Sequence, residues 1–100
     1  MDLQMLKYLS DEDKTRYMVL ERLFAQAGWK LLVEECQKWA LAAKDRAAFA
    51  QTWDQNRLAV GNGFAYDHIS RLEEITETEY EQKAEAAKKE QQLKDEEENE

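Results

Sequence analysis

A chain of 100 residues makes one small domain with one modest core, and this one lacks proline, has three glycines and is dominated by Ala, Leu, Glu, Lys and Gln, so helix is expected almost throughout. Its net charge of -8 sits mostly at one end: residues 77–100 carry ten acids against four lysines, net -6, leaving -2 for residues 1–76. This sign argues against direct nucleic-acid binding, and with no apolar run near the roughly 18 residues of a membrane span and no basic-then-apolar leader, neither a membrane protein nor a secreted one is expected.

The fold class that follows is all-α, an antiparallel helical hairpin or three-helix arrangement with a long C-terminal helix. Residues 1–10 form an N-terminal arm in which Leu3, Met5, Leu6, Tyr8 and Leu9 are available to dock. Ser10 is a helix cap, and Asp11, Glu12 and Asp13 favour the positive end of the helix dipole, which predicts a first helix over 11–27. Tyr17, Leu20, Phe24 and Ala27 recur along one face of it, and Gly28 is the expected stop.

A second helix is predicted over 29–44. Trp29, Leu32, Val33, Cys36, Trp39, Ala40 and Ala43 step by three and four along one stripe. The single cysteine, Cys36, allows no intramolecular disulfide and falls among apolar neighbours, so a buried thiol is expected. Lys44–Asp45 is the predicted break, and a third helix runs over 46–80 with Phe49, Trp53, Val60 and Phe64 in helical phase and a polar gap at Asn56. Packed as an αα-hairpin, these helices are expected to stack Trp29, Trp39, Phe49 and Trp53 in one aromatic seam, so the expected core is Phe24, Trp29, Leu32, Val33, Cys36, Trp39, Phe49 and Trp53. Residues 81–100 form an acidic tail, helical or frayed.

Gly61-Asn62-Gly63 has the first two glycines of a dinucleotide fingerprint, but Tyr66 stands where the third belongs and no strand precedes it. Asn and Gly suit a turn that would divide the long helix here, but Val60, Phe64, Ile69 and Leu72 keep helical phase across the glycines. Since each glycine costs about 1 kcal/mol in a helix interior, a close approach by another helix or chain is expected in compensation. His68, the only histidine, has no second His and no Cys spacing to make a metal site or a general base. No nucleophile stands beside a base. The chain is therefore expected to be non-enzymatic, without catalytic, cofactor or metal sites, and to bind a protein partner through Asn56, Val60, Gly61, Gly63, Phe64 and His68.

The segments LFAQAGWKLLVEECQKWA, NRLAVGNGFAYDHISRLEEI and YEQKAEA together resemble small tailed-bacteriophage proteins with an F-x-x-x-GWK-x-L-[IV]-E motif, encoded in the head-morphogenesis region beside portal and scaffold genes. The resemblance spans residues 20–82 and rests on Phe24, Gly28, Trp29, Lys30, Leu32, Val33 and Glu34. It implies a structural or assembly protein that binds portal or capsid in several copies, as a homo-oligomer or ring. Such a protein is made in the host cytoplasm and found in the virion. The alternative is a phage-encoded helical regulator or DNA-mimic inhibitor of a host protein.

Overall fold

A computed structural model describes residues 1–99. It contains a 3-10 helix, Leu3–Tyr8, and four α-helices: α1 (Asp11–Phe24), α2 (Ala27–Ala48), α3 (Trp53–Ser70) and α4 (Leu72–Glu98). No strand occurs among the described residues, in keeping with the composition. The helices gather into two compact units, Met1–Ala25 with the chain from Glu74 onward, and Gln26–Glu73.

In the first unit, α1 starts where the capping residues place it. Ser10 Oγ accepts from the Asp13 N–H at 3.2 Å, and three acids occupy the first turn. It lies antiparallel to α4, since Asp13 pairs with Lys83 (4.0 Å) and Arg16 with Glu79 (2.8 Å). Tyr17 and Tyr80 meet edge to face between the helices, with ring centroids 5.1 Å apart. Phe24, Thr76 and Ala84 are buried with them. The N-terminal arm closes on this pair: Tyr80 Oη donates to the Asp2 carbonyl, and the Met1 amino group lies 3.8 Å from both Glu21 and Glu77.

Burial and hydrogen bonding set the ionisation of this cluster. Removal from water, reinforced by donation to Glu79 at 2.9 Å, pushes the Tyr17 phenol up to about 12. The same hydrogen bond, with that from Arg16, holds the Glu79 carboxyl below its ordinary range, and the bond to Glu79 in turn raises the Arg16 guanidinium. Burial, with the Asp2 charge nearby, also raises Tyr80.

The second unit is an antiparallel hairpin of α2 and α3, but its seam differs from the predicted one. The buried residues of the hairpin are Trp29, Cys36, Ala43 and Ala59. A Cβ added to Gly63 would stand 3.6 Å from Ala43 Cβ and 4.0 Å from the Ala40 carbonyl oxygen. Small residues therefore let the two backbones approach, and no large ring fits between them. Of the four residues expected in an aromatic seam, only Trp29 is buried. Trp39 is 44% exposed and leans against Tyr66, centroids 5.5 Å apart, while Phe49 and Trp53 are 84% and 71% exposed. Leu32 is exposed and Val33 half-buried, because the close contact line along α2 is narrow.

Helix boundaries also depart from the pattern. The α1–α2 turn is made by Ala25 and extended Gln26, and Gly28 is an ordinary residue of the first turn of α2. No break occurs at Lys44–Asp45. The turn falls after Ala48, since Thr52 caps α3 by accepting from the Gln55 N–H at 3.1 Å while Gln55 Oε1 accepts from the Gln51 N–H at 3.2 Å. The predicted 46–80 helix is divided at Arg71. There Ser70 Oγ donates back to the Asp67 carbonyl at 2.7 Å, a bond that bends helices, and the Arg71 N–H is shared among the carbonyls of Asp67, His68 and Ile69. At the other end, α4 continues without interruption through residue 81 to Glu98, so the acidic segment is helical over that span.

Candidate interaction surface

The residues expected to meet a partner separate into two sets. Asn56 and Gly63 face α2 within the chain. The Asn56 side-chain amide donates to the Ala47 carbonyl at 2.8 Å, adding to the backbone bond that this carbonyl accepts from the Ala50 N–H, and Gly63 provides the close approach at the seam. Both are half-buried at the α2–α3 seam, and Gly63 also lines the groove beside it. Gly61 lies outside, with nothing within 4 Å of an added Cβ, and His68 is exposed beside it in helical register.

Val60 and Phe64 point outward, with Trp53 one helical repeat before Val60. Residues 53, 57, 60, 64 and 68 fall on one face of α3, making a stripe of Trp53, Arg57, Val60, Phe64 and His68. Phe64 is 71% exposed, and no part of the hairpin covers the stripe. Arg57 stands over the Trp53 ring, 6.0 Å from its centroid. Alongside, α2 contributes Leu41, 65% exposed, so that Ala40, Leu41, Val60, Gly63 and Phe64 line a mainly apolar groove of about 500 Å³. Its rim is polar: Lys44 at one end, Gln37, Asp67 and Ser70 at the other. On the hairpin's other side, Phe49, Leu58 and Asn62 line a smaller groove of about 390 Å³.

Sequence reading missed Leu41. It is apolar but off the Trp29–Cys36–Ala43 stripe, and a strong hydrophobe on the otherwise polar side of an amphipathic helix was the signal for it. Among the described residues, no group of three or more His, Cys, Asp or Glu side chains is placed to hold a metal ion, and Cys36 is buried in the hairpin. No helix among them is long and apolar enough to cross a membrane.

The arrangement defines a small all-helical protein whose hairpin packs closely at Ala43 and Gly63 and leaves Leu41, Trp53 and Phe64 exposed. Compared with known proteins, the chain matches no family, no curated protein and no solved structure.

Proposed function

We propose that this chain is a non-enzymatic bacteriophage structural or assembly protein that binds a larger virion component, such as portal or capsid protein, in several copies. The observation carrying the binding role is the uncovered stripe of Trp53, Val60 and Phe64 with Leu41 beside it. Soluble proteins seldom leave contiguous large hydrophobes in water, and aromatic side chains with an arginine beside them are the residues that dominate protein interfaces. The phage assignment rests on the resemblance of the Phe24–Glu34 segment to small head-region proteins.

The test is protein identification and copy counting on purified mature virions and on empty precursor heads. A fixed copy number in mature particles is the expected result. Presence in precursors alone would make it an assembly factor that leaves, and absence from both would favour the host-directed regulator. A Trp53→Ser/Phe64→Ser double variant is expected to lose incorporation while keeping the helical content of the free protein.

A further inference from the structure

The groove between α2 and α3 has a property that partner binding in general does not require: its two ends carry opposite charges in a self-complementary order. The antiparallel hairpin places residues 43 and 63 side by side, so Lys44 lies at the Val60 end of the groove and Asp67 about one helical turn beyond Phe64, at the other. Leu41 and Phe64 fall between them. A two-fold axis through the middle of such a groove superposes each end on the opposite end of a second copy. The apolar centre meets itself, and each lysine meets an aspartate.

We infer that the Leu41–Phe64 groove is an isologous interface in which two copies of this chain pack antiparallel, Lys44 of each copy pairing with Asp67 of the other. Three observations carry it. Leu41 and Phe64 stand out from the groove, more than half exposed, and two copies related by a two-fold would bury these side chains against one another. Among the described residues Lys44 pairs with no carboxylate, although its neighbours in sequence include Asp45. Among the described residues the Asp67 carboxylate pairs with Arg71, four residues along at 3.8 Å, with both side chains more than half exposed, and so weak a contact is readily shared. The inference rests on reading this face as an interaction surface, and it names the first partner on it as a second copy.

The symmetry makes a test that no other occupant of the groove would pass. Lys44→Asp puts an aspartate against Asp67 at both ends of the interface, and Asp67→Lys puts a lysine against Lys44 at both ends. Each variant alone is expected to weaken self-association about tenfold, since two surface ion pairs become two repulsions. An equimolar mixture of the two variants restores both attractions, so it should associate as the wild type does, and the double variant should do so alone. Sedimentation across a concentration series reads all four, with far-UV circular dichroism showing that helix content is unchanged.

A wild-type protein that remains monomeric throughout, or single variants that associate as well as wild type, or a mixture no better than its components, would overturn the inference. A Phe64→Asp variant provides an independent reading, since loss of the apolar centre should abolish dimers whatever the ends contribute. These outcomes are separable from those of the particle experiment. A monomer that still enters virions would remove this interface and leave the proposed role, and a dimer absent from every particle would do the reverse.

Discussion

The glycines of α3 offer the sharpest test of the packing described above, because the structure assigns them different surroundings two residues apart. An alanine at Gly61 would meet nothing within 4 Å, and its methyl would sit in solvent. Helix propensity alone then acts, and Gly61→Ala should stabilise the protein by about 0.8–1 kcal/mol. At Gly63 the new methyl would lie 3.6 Å from Ala43 Cβ, an ordinary van der Waals contact. Gly63→Ala should therefore stabilise as well, by about 1 kcal/mol, with a few tenths added from dispersion. Gly63→Leu extends past that contact into the space held by Ala43 and the Ala40 carbonyl, and overpacking of this kind costs about 1–3 kcal/mol. Thermal melts followed by circular dichroism resolve these differences, since 1 kcal/mol moves the midpoint of a domain of this size by about 4–8 °C. The order Ala above Gly above Leu at position 63 is the expected result. A Gly63→Ala variant less stable than wild type would mean the helices approach more closely than described. A Gly63→Leu variant as stable as Gly63→Ala would mean position 63 does not face α2, and the small-residue seam would fall with it.

Other outcomes follow from the same contacts. The Tyr17 phenol has a folded-state pKa raised from 10.0 to about 12, so its contribution to stability is complete below pH 10 and is lost as the pH rises from 10 to 12. That loss amounts to about 3 kcal/mol, and Tyr17→Phe should flatten the alkaline limb of a stability–pH curve measured by urea unfolding. Glu79 has the opposite sense: its lowered pKa makes a contribution that is present above the ordinary carboxylate range and lost as the pH falls through the lowered value, a loss that Glu79→Gln should remove from the acid limb. Trp29→Ala should cost about 3–5 kcal/mol in urea unfolding as a buried ring, whereas Trp53→Ser should stay within about 0.5 kcal/mol; equal effects would refute the assignment of inside and outside. Removing the cap with Thr52→Ala should cost about 1 kcal/mol, and Asn56→Ala a similar amount through the Ala47 carbonyl, both read from thermal melts.

Much of this architecture was legible in the amino-acid sequence, and the errors have physical causes. The all-helical class and the Ser10 start of α1 follow from composition and a capping signature, both local properties. The stripe through Trp53, Val60 and Phe64 is real as a helical face. What periodicity does not tell is whether anything in the same chain covers a stripe, and here α2 is engaged by Asn56, Ala59 and Gly63 instead. The helical phase of Phe49 and Trp53 points to the seam of the hairpin, yet both lie outside it. Gly63 explains the reversal, since removing one side chain lets two backbones come together with the large side chains left outside. The α2–α3 turn was also within reach: Thr52-Trp53-Asp54-Gln55 has the Thr-x-x-Gln form of a capping box, whereas Asp45, with Ala48 three residues on, does not. The Arg71 break had no comparable signal, since it depends on the rotamer of Ser70.

The two units differ in how far along the chain their partners lie, and this sets an order of events during folding. In the hairpin, Asn56 reaches Ala47 across nine residues, whereas Tyr17 meets Glu79 across 62 and Tyr80 meets Asp2 across 78. Short-range contacts close quickly, and long-range ones wait on the entropy of a large loop. Once α2 and α3 have zipped from the Thr52 turn, the loop that separates α1 from α4 is no longer a free coil, and its closure becomes a much smaller search. Substitutions at the Ala43–Gly63 seam are thus expected to change the folding rate, and those at Tyr17 and Tyr80 the unfolding rate.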